Sequence, residues 1–262
     1  MTFSINATLI TLFILQFSPT IKAEDRVLAN IFATHSLTGT MVISSLNNDR
    51  VYRYNKERAN QPFTVASTFK IVNTLIGLEE GVVKDKEAIF HWDGHKYDYA
   101  AWNHDQTLES AYKVSCVWCY QQLARRVGAD TYRRNIKTLG YGELTEPFDV
   151  TMFWLDGSLT MSASEQVDFL KKVYHRTLPF SASAFNTLQQ IMVAEKTDSY
   201  TIRAKSGWAT SSTPGIGWYV GYVETTDDVW FFATNIDVSD NSVLPLRQQI
   251  VTEAFQALGI IN

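Results

Sequence analysis

The sequence predicts an α+β fold: an antiparallel sheet flanked by terminal helices, with a helical lobe inserted between its strands. Three observations predict it. Runs rich in β-branched and aromatic residues lie near both ends of the 262-residue chain, at 40–44, 51–54, 200–205, 217–224 and 229–237. The links between neighbours are short. Asn47-Asn48-Asp49 reads as a hairpin and Thr226-Asp227-Asp228 as a turn, and strands this close cannot be parallel, because parallel pairs need long crossovers. Between the two strand groups the apolar period lengthens to that of helices. Strands from both ends must then meet in one sheet. One domain, 24–262, is expected, with a sheet lobe at about 24–60 and 196–262 and a helical lobe at about 61–195.

Taken in order, the first 23 residues stand apart. Residues 7–17 are mostly apolar and uncharged, and Ile21-Lys22-Ala23 precedes Glu24-Asp25. A stretch of about 11 residues is too short to span a bilayer and fits the apolar region of a secretory signal. Residues 1–23 are therefore expected to be removed as a signal peptide, leaving an exported, membrane-free chain. The first helix is predicted over 68–79, stopping at Gly81. Residues 108–127 read as one helix stopping at Gly128. Ser162-Ala163-Ser164-Glu165 reads as a capping box opening 166–174, and 184–194 follows as another helix. A terminal helix at about 246–258 closes the sheet.

Composition narrows the function classes. With 45% hydrophobic and 19% charged residues, 13 Gly and 6 Pro, disordered, collagen-like and coiled-coil classes are excluded. The 23 basic residues face 27 acidic ones, and no basic run exceeds the pairs Arg125-Arg126, Arg133-Arg134 and Lys171-Lys172. These read as solvated helix faces, so no nucleic-acid partner is expected. The two cysteines, Cys116 and Cys119, are expected to be packed thiols, with a local disulfide as the alternative in an oxidising compartment. His91 and His95 are spaced i,i+4 but lack a third clustered ligand, so no metal is expected.

The chemistry concentrates in Ser67-Thr68-Phe69-Lys70. Positions i and i+3 share a helix face, so the Lys70 amine reaches the Ser67 hydroxyl. Serine becomes a nucleophile only with a base, and an amine serves only when neutral or chemically altered. At a helix N-terminus, backbone N–H groups also favour developing negative charge. Further along stand Ser115-Cys116-Val117 and Lys205-Ser206-Gly207. Ser239-Asp240-Asn241 follows Lys205-Ser206-Gly207, between the last strand run and the terminal helix, and reads as a polar loop.

The ordered set S-x-x-K, S-x-V, K-[ST]-G resembles the serine β-lactamase and penicillin-binding group, and most closely the class D β-lactamases, or oxacillinases. Phe153-Trp154-Leu155-Asp156-Gly157, Gly217-Trp218-Tyr219-Val220-Gly221 and Leu246-Arg247 add to the likeness, which runs from about Gly39 to the C-terminus. The chain departs from the family pattern at Val65 and Val72, where prolines are common, at Glu143 for asparagine, and at Ser206 for threonine. The resemblance implies a periplasmic enzyme that opens the β-lactam ring of penicillin-type antibiotics and confers resistance; a β-lactam sensor domain and a penicillin-binding transpeptidase are the alternatives. It implies that Ser67 attacks and carries the acyl group. Lys70 would be N-carboxylated by carbon dioxide, with no other cofactor, and act as general base. Val117, Leu155 and Phe69 would be its apolar neighbours and the Trp154 indole N–H its hydrogen-bond donor. Ser115 and Lys205 would relay a proton to the leaving nitrogen. The backbone N–H groups of Ser67 and Trp208 would form the oxyanion hole. Lys205, Ser206, Gly207 and Arg247 would bind substrate, with Ser206 and Arg247 on its carboxylate. The oligomeric state is left open, a homodimer among the options.

Overall fold

The computed structural model describes residues 25–262; the expected signal peptide at 1–23 lies outside them. The chain opens with α1 (Arg26–Thr34), β1 (Gly39–Ser45), β2 (Val51–Tyr54), α2 (Lys56–Ala59) and β3 (Phe63–Thr64). A 3₁₀ turn at Ala66–Phe69 runs into α3 (Lys70–Glu79). Then come β4 (Ile89–Phe90), β5 (Gln106–Thr107), α4 (Leu108–Lys113), α5 (Val117–Val127) and α6 (Ala129–Leu139). The middle ends with β6 (Glu143–Leu144), β7 (Leu159–Met161), α7 (Ala163–Tyr174) and α8 (Ala182–Ile191). Strands β8 (Val193–Lys196), β9 (Tyr200–Ala209), β10 (Gly215–Thr225) and β11 (Val229–Val238) precede α9 (Leu246–Ala257).

Six strands form one antiparallel sheet in the order β2-β1-β11-β10-β9-β8. The two ends of the chain meet where β1 pairs β11, with Met41 opposite Thr234 and Ile43 opposite Phe232. Period-two alternation gives the sheet two apolar faces. Met41, Ile43, Trp230, Phe232 and Ile236 pack with Leu28 and Phe32 of α1 and with Ile250, Ala254 and Phe255 of α9. The alternate positions Val42, Phe231 and Ala233 belong to a larger core with residues of α3, α5 and α7. Each buried Phe or Ile contributes about 1.5–3 kcal/mol relative to exposure, so both helix layers are held by the same strands. Among the described residues no helix is long and apolar enough to cross a membrane.

Several local expectations hold. Ser162 Oγ accepts the Glu165 N–H at 3.2 Å and Glu165 Oε2 accepts the Ser162 N–H at 2.8 Å, the reciprocal cap that opens α7. Asp240 of Ser239-Asp240-Asn241 caps a short 3₁₀ turn, Asn241–Val243, between β11 and α9.

Others are corrected. Residues 108–127 are two helices, because Ser115 between them has left-handed backbone, φ +57°. The helix expected at 184–194 stops at Ile191, and the following residues pair with β9 as β8. Met192 O accepts the Ala204 N–H at 2.9 Å, so the demand of a sheet edge for partners overrides the continued helix. The inserted region also carries small sheets, β3-β7-β6 and β4-β5, beside its helices. Three helices went unread, the four-residue α2 among them. In α1, Asp25 caps the N–H groups of Val27 and Leu28. In α6, Tyr132, Ile136 and Leu139 give the i, i+4, i+7 pattern directly after Gly128.

Candidate active site

The segment that carries Ser67 is strained from its first residue. Ala66 has φ +49°, a conformation that costs a non-glycine residue about 1–3 kcal/mol and persists only where packing enforces it. Ala66 is fully buried, and Val65 N–H is held by Leu159 O at 3.2 Å. Ser67 to Phe69 then continue as 3₁₀ structure where an α-helix was expected. In 3₁₀ geometry i and i+3 eclipse, which brings Ser67 Oγ and Lys70 Nζ to 3.1 Å.

Lys70 is 1% exposed, and burial alone pulls its ammonium down to about 7. Near neutral pH much of it is therefore a free amine. Its Nζ lies 4.7 Å from the centre of the Tyr120 ring. Tyr120 was not anticipated, although its place one turn after Val117 on α5 is legible in the sequence. Trp154 is 1% exposed and stacks on Phe69 at 5.9 Å, and its indole N–H has no hydrogen-bond partner among the described residues. An unpaired buried donor costs about 1–3 kcal/mol, so an acceptor beside this N–H would be stabilised by it.

The second pair crosses from the inserted region to the sheet. Lys205 Nζ donates to Ser115 Oγ at 3.0 Å and to Ser206 O at 2.8 Å. The left-handed backbone at Ser115 is what turns its hydroxyl to β9. Burial, then the nearby charges of Lys70 and Arg247, hold the Lys205 ammonium well below its usual range. The structure also joins Cys116 to Cys119 in a disulfide where packed thiols were expected. Their spacing is one helical turn, which sets the two sulfurs side by side at the start of α5.

Close approach of β9 to the 3₁₀ turn completes the site. A Cβ on Gly207 would lie 3.2 Å from Thr68 Cγ2 and 3.3 Å from Ser67 N, so glycine lets the strand backbone pass beside the serine. Arg247, on the first turn of α9, donates to Gly207 O at 2.8 Å, and burial draws its guanidinium down to about 10. A Cβ on Gly217 would meet Val238 Cγ2 at 2.9 Å, so glycine there keeps the neighbouring strand packed, with Arg247 Cδ at ordinary contact distance, 3.7 Å.

A cavity of about 430 Å³ opens on Ser67, Ser115, Val117, Leu155, Ser206, Gly207, Trp208 and Arg247. Lys70, Lys205 and Trp154 are buried behind it. The sequence-predicted residues thus converge on one cleft. Tyr99, Trp102, Lys113, Val114 and Leu244 also line it and carried no motif to mark them. Among the described residues no cluster of three or more His, Cys, Asp or Glu could hold a metal, and His91 pairs with Asp105 at the surface. A serine beside a partly neutral amine, a second lysine–serine pair and a guanidinium suit acyl transfer from an anionic substrate.

The Lys70 shift has a thermodynamic consequence. Unfolded, the amine keeps its proton up to about pH 10.5, but folded only up to about 7. Between those limits the unfolded state binds more protons, so stability rises with pH across that window. Thermal melts of wild type are expected to gain more across it than melts of Lys70→Met. Equal slopes would contradict the buried free amine.

Comparison with known proteins gives one picture. Residues 34–256 match the family model of the penicillin binding protein transpeptidase domain. The chain is 43% identical over 230 residues to Beta-lactamase OXA-48 of Klebsiella pneumoniae, covering 88% of this chain and 87% of the relative. It is similar to FUS-1 (OXA-85), a class D β-lactamase from Fusobacterium nucleatum subsp. polymorphum, with TM-score 0.89 and 39% identity over 92% of this chain and 100% of that one. The class D β-lactamase YbXI from Nostoc superposes with TM-score 0.87 at 40% identity, covering 88% and 98% of the two chains.

Proposed function

The chain belongs to the class D β-lactamases, within the penicillin-binding-protein transpeptidase family, and from that premise we propose how its own residues open the β-lactam ring. Its activity is β-lactam hydrolysis, which confers resistance. The observation that carries the mechanism is the 3.1 Å approach of Ser67 Oγ to a buried Lys70 Nζ.

Ser67 Oγ attacks the lactam carbonyl carbon while its proton moves toward Lys70. The carbonyl oxygen gains charge beside the backbone N–H groups of Ser67 and Trp208, which the close passage of Gly207 supports. The carbon–nitrogen bond then breaks, and the nitrogen takes a proton from Ser115 Oγ, which Lys205 Nζ replaces across 3.0 Å. The acyl group rests on Ser67 as an ester while Lys70 returns its proton to the Ser115–Lys205 pair. Water then attacks the ester carbon from the Lys70 side, giving a proton toward Lys70. As the carbon–Oγ bond breaks, Ser67 Oγ takes that proton back and the opened product leaves.

The pocket fits N-carboxylation of Lys70. Only a neutral amine adds carbon dioxide, and Lys70 is neutral in part near pH 7. The unpaired Trp154 N–H would donate to the added group, and Val117, Leu155 and Phe69 would keep water from it. Bound there, carbon dioxide supplies a carbamate, an anionic proton acceptor in place of an amine. Ser206 and Arg247 hold the substrate carboxylate, the arginine through charge-assisted hydrogen bonds. Residues 1–23 serve as the export signal, and the mature chain acts in the periplasm.

Continuous nitrocefin turnover at catalytic enzyme concentration is the test of hydrolysis; a single stoichiometric burst would point instead to a sensor or transpeptidase. Arg247→Ala is expected to raise KM about tenfold or more with a smaller effect on kcat, since one charge-assisted contact contributes about 1.5–3 kcal/mol of largely uniform binding. An unchanged KM would remove Arg247 from the carboxylate site.

A further inference from the structure

We infer that the Cys116–Cys119 disulfide is a positioning device for acylation, holding Ser115 against Lys205. The inference rests on Ser115 as the proton donor proposed above. Ser115 lies between two helices at φ +57°, a conformation a serine abandons readily when its surroundings loosen. On the upstream side the chain is tied, since Ser115 N–H donates to Tyr112 O at 3.2 Å and Cys116 N–H to Ala111 O at 2.8 Å.

On the downstream side the N-terminus of α5 is capped by sulfur. Cys116 is its N-cap residue, and Cys116 Sγ accepts the Cys119 N–H at 3.2 Å. Sulfur is a weak acceptor, and helices prefer Ser, Thr, Asp or Asn at that position. The covalent bond therefore supplies the rigidity that a strong oxygen cap supplies elsewhere. It does so next to the chemistry. Ser115 immediately precedes the bridge, and Val117, on the cavity wall, lies inside it. Both cysteines are fully buried, so the bridge is packed into the core on which the site rests.

The closed span is short, so its restraint on the unfolded chain is small. Its effect falls on local geometry, above all on the 3.0 Å contact between Lys205 Nζ and Ser115 Oγ.

The exported chain, denatured without reductant and exposed to an alkylating reagent, is expected to show no modified cysteine by intact mass. Two alkylated thiols would overturn the proposal at once. In Cys116→Ala/Cys119→Ala, the acylation rate constant for a penicillin is expected to fall about tenfold, as a strained contact loses its enforced population. The deacylation rate constant should fall less than the acylation rate constant, because Lys70 and Trp154 lie on other segments and reach the bridge only through α5, while Tm should drop modestly for the core volume that two buried sulfurs leave unfilled. Cys116→Ser/Cys119→Ala keeps an oxygen cap for the N–H at position 119 and is expected to recover part of the loss. Wild-type acylation in the alanine pair, or equal losses in both steps, would overturn the positioning role. Ser115→Ala separates the two levels. If it leaves acylation intact, the proton-donor assignment fails and this inference with it; if it slows acylation while the cysteine pair does not, the disulfide role alone fails.

Discussion

Ser67→Ala is expected to lower kcat/KM for a penicillin by at least about 10⁴-fold and to leave no covalent adduct on the protein. The size follows from the geometry of Ser67, which the other motif serines do not share. Ser67 stands at the opening of a 3₁₀ turn, 3.1 Å from a buried amine, with a glycine strand passing its backbone N–H. Ser115 also has a lysine at 3.0 Å, but it caps no helix N-terminus and lies between α4 and α5. The folded structure should survive, because the Ser67 side chain has Lys70 as its hydrogen-bond partner and fills little volume. Intact-mass spectrometry after mixing with a penicillin is the measurement. A penicilloyl adduct on Ser67→Ala would falsify the assignment.

Trp154→Phe is expected to slow deacylation by about 10²–10⁴-fold and so to trap the acyl-enzyme, with partial recovery on adding bicarbonate. Phenylalanine retains a ring against Phe69 and removes the N–H, whereas alanine would also open a cavity at a cost of about 3–5 kcal/mol. Lys70 would then carry a carbamate that lacks its donor, in a pocket that disfavours charge, and would revert toward the amine. Acylation should be less affected, since the oxyanion donors and the Ser115–Lys205 pair are untouched. A bicarbonate titration that is flat in wild type and variant, with no carbamate carbon signal in labelled buffer, would remove carbon dioxide from the mechanism. The Ser67 acylation would stand.

Much of this was legible in the chain. The five runs of β-branched and aromatic residues became β1, β2, β9, β10 and β11, because strands covered on both faces of a sheet carry near-continuous apolar runs. Ser162 and Glu165 announced the start of α7 for a similar reason: a cap is chemistry between residues three apart. The motif residues Ser67, Ser115, Ser206 and Arg247 could be named from the family resemblance that their ordered motifs carry, and they line one cavity. The helix α6 was equally readable from Tyr132, Ile136 and Leu139.

What the sequence by itself determined is therefore whatever depends on neighbours a few positions away: periodicity, caps, turns, and the identity of the reactive side chains. Only the tertiary structure decided the rest. It broke the helix at Ser115 because Lys205, ninety positions downstream, donates to that hydroxyl. It ended α8 at Ile191 because the edge of β9 needed backbone partners more than the helix needed another turn. It closed Cys116 onto Cys119, and it drew Lys70 down to about 7 by surrounding it with protein in place of water. Hydrogen-bond demand and desolvation act through space, on atoms that meet only after the two ends of the chain have paired through β1 and β11.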